Sequence, residues 1–226
     1  MSSQLVRINA TDGKDFEAYE TIDGKGPGLI LLSEMFNAND NIRSVSDGWA
    51  KRGFVCIAPD LYWRTRPRAY FGYDDPDRDE ARVLYQALDR EVAADDVASC
   101  AEYLKRHPFC DGRVFAVGFC LGGELALLSA MRGDIDAASI YYGTNLMKYA
   151  GKLDGLKVPT LLHFAERDEH VPLSVADAFA AEAETVAQLE VHVYPGVEHA
   201  FARPNRPQYD ARSTDLADAR TLQWFK

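Results

Sequence analysis

Val114-Phe115-Ala116-Val117-Gly118-Phe119-Cys120-Leu121-Gly122-Gly123-Glu124-Leu125-Ala126-Leu127-Leu128 is the stretch on which the fold of this chain turns. Four apolar residues run into a glycine, a thiol follows two positions on, and two more glycines lead into an apolar helical pattern. A short apolar run bounded by turn residues reads as a strand buried on both faces. The segment therefore predicts strand, sharp turn and helix. Cys120 projects from the turn above a parallel sheet, where a serine commonly stands. Glycines two before and two after the thiol remove side chains that would meet the neighbouring strand and helix. Taken alone, the segment also fits a buried structural cysteine on a glycine-rich turn. The rest of the chain separates the two.

Upstream, residues 4–8 and 16–19 read as strands of a hairpin about Thr11-Asp12-Gly13-Lys14, at a sheet edge. Residues 28–32 and 54–58 are continuous apolar runs, hence buried strands, the second stopped by Pro59. Between them, residues 39–52 form a helix that Asp40 can cap and Gly53 can end. Residues 60–77 mix aromatics, arginines and prolines without period, and so form a long loop; loops of that length in a compact domain are usually functional. Residues 78–106 are helical, as one helix or two. Downstream, strands are expected over 137–142, 160–164 and 189–194, and helices over 121–131, 173–187 and 215–225. Alternating strands and helices predict an α/β fold with a mostly parallel central sheet and helices on both faces. No linker or repeat divides the chain, so residues 1–226 are read as a single domain.

Composition narrows the function. The net charge of −10 argues against nucleic acid and anionic membranes as partners. No apolar run approaches the ~20 residues that span a bilayer. The first residues, Met-Ser-Ser-Gln-Leu-Val-Arg, carry no basic-then-apolar leader. Four cysteines at 56, 100, 110 and 120 lack metal-ligand or disulfide-framework spacing. Reduced thiols in the cytoplasm are the simplest account, and no metal or cofactor is implied. Nothing in the sequence demands a second copy, and a monomer is compatible with it.

Ligands of open α/β sheets bind beyond the carboxyl ends of the strands. Glu34, Cys120, Asp168 and His199 each follow a predicted strand. The order cysteine, aspartate, histidine is that of the α/β-hydrolase fold. A thiolate attacks a carbonyl carbon, the histidine moves protons, and the aspartate fixes the ring's tautomer and stabilises its charged form. His163 and His170 compete with His199. His163 lies inside a strand and is expected in the core; His170 is too near Asp168 in sequence to pair with it easily. The backbone N–H groups of Leu121 and Met35 are the candidate oxyanion donors.

The chain resembles the dienelactone hydrolases (carboxymethylenebutenolidases). The likeness rests on Glu34-Met35-Phe36, Ala58-Pro59-Asp60-Leu61-Tyr62, Gly118-Phe119-Cys120-Leu121-Gly122-Gly123, Tyr141-Tyr142-Gly143, Asp168 with Val171-Pro172, and His199-Ala200-Phe201-Ala202-Arg203. The resemblance implies that Glu34 holds the resting thiol and takes part in activating it, and that two arginines bind a substrate carboxylate. Arg203 matches one of them. Arg78 matches the other by ungapped counting from Cys120, with Arg82 an alternative one turn along. Arginine suits the task because its planar fork makes two parallel hydrogen bonds to a carboxylate. The chain departs from the family pattern with Asn37 where glycine is frequent and Phe119 where tyrosine is common. The Arg- and aromatic-rich residues 63–73 match no family pattern and are expected to line the pocket mouth.

The expected partner is therefore a small anionic lactone or ester. The expected reaction opens a carboxylated unsaturated lactone to a maleylacetate-type acid, in aromatic or chloroaromatic degradation. A broader small-ester or thioester hydrolase with the same three residues is the alternative. A non-catalytic thiol sensor is disfavoured by the presence of His199 and Asp168, which binding alone does not require.

Overall fold

The computed structural model describes all 226 residues. Its strands are β1 (Ser2–Asn9), β2 (Asp15–Ile22), β3 (Gly26–Leu32), β4 (Val55–Pro59), β5 (Cys110–Phe119), β6 (Ala137–Tyr141), β7 (Thr160–Ala165) and β8 (Leu189–Tyr194). Its helices are α1 (Asp40–Ala50), α2 (Asp77–Ala87), α3 (Arg90–Lys105), α4 (Leu121–Arg132), α5 (Leu173–Ala183) and α6 (Ala211–Trp224). The strands form one sheet in the order β1-β2-β4-β3-β5-β6-β7-β8. The pairs β3/β4, β6/β7 and β7/β8 are parallel, while β1/β2 and β2/β4 are antiparallel. No helix is long and apolar enough to cross a membrane. By contacts the chain divides into two compact units, Met1–Ala116 and Val117–Lys226.

In the first unit, Leu29–Leu32 and Val55–Ala58 are wholly inaccessible, as continuous apolar strands require. Successive strand residues point to opposite faces. On β2, Tyr19 and Thr21 donate to Asp47 of α1 (3.1 and 3.0 Å), whereas Glu20 between them accepts from Tyr103 of α3 (2.7 Å). The two helices therefore cover opposite faces. Asn39, and not Asp40, caps α1: its side-chain oxygen accepts from the N–H groups of Asn41 and Ile42 (3.1 and 3.3 Å), while Asp40 is already the first helical residue. Residues 78–106 resolve into α2 and α3, with Asp89 capping the second.

The loop after β4 hangs on two buried side chains. Asp60 accepts from Asn37 Nδ2 (2.6 Å), Tyr62 N–H (3.0 Å) and Arg68 N–H (2.6 Å); Asn37 also donates to the Ala69 carbonyl (3.1 Å) and accepts from Leu61 N–H (2.9 Å). Asn37 has φ +62°, a conformation glycine adopts freely and asparagine tolerates. The three arginines of this loop are ion-paired: Arg64 with Asp96 and Asp12 (2.7 and 2.5 Å), Arg66 with Glu80 (2.5 Å), and Arg68 with Glu17. They fasten the loop to its own unit.

In the second unit, Phe164 of β7 meets Phe179 of α5 (ring centroids 6.3 Å apart), while adjacent His163 meets Thr221 of α6 (3.1 Å). Helices again cover both faces. The structure differs from the sequence reading mainly at element ends. Strand β5 starts at Cys110, α5 stops at Ala183, and α6 starts at Ala211, where Asp210 accepts from Ser213 N–H (2.7 Å). Short 3-10 turns over Leu146–Tyr149 and Leu153–Gly155 carry no sequence period and escape such a reading.

Candidate active site

The turn between β5 and α4 is as tight as its glycines imply. A Cβ on Gly118 would lie 2.2 Å from the Gly122 carbonyl oxygen. A Cβ on Gly123 would lie 2.7 Å from the Cα of Gly143, just past β6. Between them Cys120 takes φ +54°, ψ −111°, a conformation that costs a non-glycine residue about 1–3 kcal/mol. Backbone hydrogen bonds hold it there. Cys120 N–H donates to the Tyr141 carbonyl (3.0 Å), and its own carbonyl accepts from Gly123 N–H (3.0 Å) and Thr144 N–H (3.1 Å). Leu121 opens α4 and is fully buried, at the positive end of the helix, where the first N–H groups have no acceptor within the helix.

Asp168 and His199 come from the loops after β7 and β8. The Asp168 side chain is 1% exposed, and its two oxygens have separate tasks. One accepts from the backbone N–H groups of His170 and Val171 (2.8 and 2.9 Å), which fixes the carboxylate. The other faces His199 Nδ1 at 2.7 Å. His199 is also coupled electrostatically to the Cys120 side chain. Burial opposes a charged ring, but the charge on the Cys120 sulfur and the bond to Asp168 outweigh it, and the His199 pKa is raised to about 10. Tyr142 packs edge-on against the His199 ring (5.0 Å), and His170 crosses it at 88° and 4.8 Å. Neither contact is evident from sequence alone, although Tyr142-Gly143 at the end of a buried strand marks the place where ligands gather.

Three groups in one unit are thus brought together: the thiol on a strained turn, the imidazole and the buried carboxylate. The arrangement can generate a nucleophile, shuttle a proton and hold the ring that carries it. Arg203 lies half-buried in the turn after His199, where its N–H donates to the Ala200 carbonyl (2.9 Å). His163 is elsewhere, in the core, with 0% exposure.

The other candidates lie in the first unit. Glu34 is 3% exposed just past β3, and its carbonyl accepts from Asn37 N–H (3.1 Å). Met35 follows it, with its carbonyl accepting from the Tyr62 hydroxyl (2.8 Å). Arg78 is exposed on the first turn of α2; its guanidinium donates to the Tyr73 carbonyl (2.7 Å) and lies 3.8 Å from Asp75. Arg82 is exposed on the same helix.

The sequence profile of the dienelactone hydrolase family matches residues 16–226. The chain is 33% identical over 226 residues to carboxymethylenebutenolidase 1 of Cupriavidus pinatubonensis, covering 99% of this chain and 96% of that one. It is 32% identical over 232 residues to carboxymethylenebutenolidase of Pseudomonas putida, covering 100% and 97%. A solved structure of a candidate dienelactone hydrolase from Klebsiella pneumoniae superposes with a TM-score of 0.84 at 25% identity, over 99% of this chain and 98% of that one.

Proposed function

The chain belongs to the dienelactone hydrolase family and is a hydrolase of ester or lactone bonds, and on that premise we propose that it opens a small carboxylated unsaturated lactone through Cys120, His199 and Asp168. The observation that carries this reading is the His199 ring, hydrogen-bonded to Asp168 and coupled electrostatically to Cys120 on its strained turn.

In the proposed reaction the Cys120 sulfur adds to the lactone carbonyl carbon. The carbonyl oxygen becomes an oxyanion facing the Leu121 and Met35 N–H groups. The ring C–O bond then breaks. The leaving enolate is conjugated and departs as a weak base; it becomes a ketone by taking the proton that the His199 ring carried, which leaves that ring neutral. The thioester left on Cys120 carries no charge on sulfur. Both contributions by which Cys120 raises the His199 pKa are then gone, while burial still favours the neutral ring. His199 thereby becomes a base when one is needed: it takes a proton from water, hydroxide adds to the thioester, and the thiolate is expelled. One water is consumed and a second carboxylate is formed.

Arg203 and Arg78 are proposed to bind the substrate carboxylate, and Glu34 to restrain the resting thiol until substrate arrives. The exposed position of Arg78, already engaged by Tyr73, favours a second reading in which the site accepts a wider range of small esters or thioesters. We place the reaction in aromatic degradation and the enzyme in the cytoplasm, in keeping with four free cysteines. One domain spanning residues 1–226 is part of the same proposal.

Loss of the ultraviolet absorbance of a carboxylated dienelactone measures the reaction. Wild type is expected to turn it over at least tenfold better, in kcat/KM, than a neutral aryl ester, and Cys120→Ala is expected to abolish turnover. Arg203→Ala should raise KM for the lactone about tenfold and leave the neutral ester unaffected, the loss of a charge-assisted pair of about 1.5 kcal/mol. Equal kcat/KM for lactone and neutral ester would favour the wider reading; undiminished turnover by Cys120→Ala would end both.

A further inference from the structure

Glu124 lies one helical turn after Cys120, on the helix that carries the nucleophile, and is completely buried. A buried carboxylate must be hydrogen-bonded or paired to remain charged. Three of its partners come from one short segment. Asn145 Nδ2 donates to one oxygen (2.9 Å); Tyr149 hydroxyl donates to the other (3.2 Å), which also pairs with Lys148. Asn145 sits in the left-handed region at φ +59° and starts the 3-10 turn that presents Lys148 and Tyr149.

The same segment touches the site at its other end. Thr144 N–H bonds the Cys120 carbonyl, Tyr141 carbonyl accepts Cys120 N–H, and Tyr142 packs against the ring of His199. A Cβ on Gly123 would lie 2.7 Å from the Gly143 Cα, and one on Gly143 would meet the Ile140 and Leu146 side chains at 2.8 and 2.9 Å. A closed circuit results: from Cys120 along α4 to Glu124, across to Asn145 and Tyr149, back along the segment to Thr144, and so to Cys120. A strained conformation persists only where the surroundings over-determine it.

Taking Cys120 as the nucleophile, we propose that Glu124 is a positioning residue, which clamps residues 141–149 onto α4 and so holds both the strained Cys120 backbone and the aromatic wall beside His199. The clamp acts through its hydrogen bonds to Asn145 and Tyr149. The half-exposed Lys148 ammonium pairs with the oxygen that also accepts from Tyr149. Glutamine retains an acceptor for the Tyr149 hydroxyl, and the Asn145 amide can turn to accept from it; alanine removes every partner.

The test reads the sulfur directly as well as turnover. Alkylation of Cys120 by iodoacetamide is followed by mass spectrometry of the Cys120 peptide, and hydrolysis of the dienelactone is measured alongside. Glu124→Ala should slow alkylation and lower kcat about tenfold each, as two lost hydrogen bonds of roughly 0.7 kcal/mol imply, with KM within twofold. Glu124→Gln should stay within twofold of wild type in both. Wild-type alkylation and kcat in Glu124→Ala would overturn the proposal, and so would a loss in Glu124→Gln as large as that in Glu124→Ala. If Glu124→Ala does not fold, the double variant Asn145→Gly/Tyr149→Phe removes the same hydrogen bonds from the other side and keeps the left-handed position. It should slow alkylation likewise, and unaltered alkylation would overturn the clamp. A wild type that fails to open the lactone would refute the proposed substrate alone, because the alkylation arm needs no substrate.

Discussion

Two imidazoles in the second unit are largely withdrawn from water and carry opposite charge preferences. His163 has no exposed surface; Nδ1 meets the Tyr194 hydroxyl (2.8 Å), and Nε2 lies 3.1 Å from both the Ser139 and Thr221 hydroxyls. Burial drives its pKa well below the ordinary imidazole value, and the nearby His192 and Arg220 push the same way. The His199 side chain is 12% exposed, yet its pKa rises to about 10. The difference lies in the partners. A hydroxyl donates or accepts as required, so three of them serve a neutral ring. At His199 the charge on the Cys120 sulfur favours the protonated ring first, and the Asp168 carboxylate, which only accepts, adds to it. Depth sets how much is at stake for each histidine, and the charge of its neighbours sets the sign.

The largest expected effect comes from removing that charge. Asp168→Asn keeps the shape of the site but removes the anion, and should lower kcat on the dienelactone by roughly three to four orders of magnitude. The His199 pKa, followed by its imidazole NMR signals, should fall below 10. A kcat within tenfold of wild type would mean that the contrast with His163 has no catalytic consequence.

The second effect falls on stability alone. His163→Leu removes the ring's hydrogen bonds to three hydroxyls, which keep one another, Tyr141 and Arg220 as partners, and should destabilise the fold by about 1–3 kcal/mol in denaturant titration. The rate per folded molecule should not change. A proportional loss of kcat would tie His163 to the chemistry and dissolve the distinction.

The smallest effect is a pair of opposite pH windows, read as melting temperature against pH. Both rings titrate near 6.5 when unfolded. The folded His199 value is raised, so its protonated ring adds stability in full below about pH 6.5, and this is lost as pH rises through about 10. The folded His163 value is depressed, so its neutral ring adds stability above about pH 6.5, which is lost as pH falls below that point. His199→Gln should flatten the alkaline limb and His163→Leu the acid limb. The same limb flattened by both variants would break the comparison.

Much of this is legible in the linear chain. Apolar runs of strand length mark β3 to β8, and Gly118-Phe119-Cys120-Leu121-Gly122 marks the turn, because these features depend on backbone sterics and on neighbours a few residues away. The order of Cys120, Asp168 and His199 after successive strands points to one edge of the sheet. Local competition already blurs the reading, as at α1, where the sequence points to Asp40 as the cap and the turn geometry gives that place to Asn39.

Residue types, their order along the chain and the α/β alternation follow from covalent sequence and short-range sterics. Charge states and couplings do not. Asp168 and His199 are 31 residues apart, Glu124 and Tyr149 25, and Ser139 and Thr221 82. Only folding desolvates these groups and assigns their partners. That is why His163 and His199, alike as letters, become a neutral core residue and a charged partner of sulfur, and why Glu124, unremarkable in the helical pattern after Cys120, becomes a buried clamp.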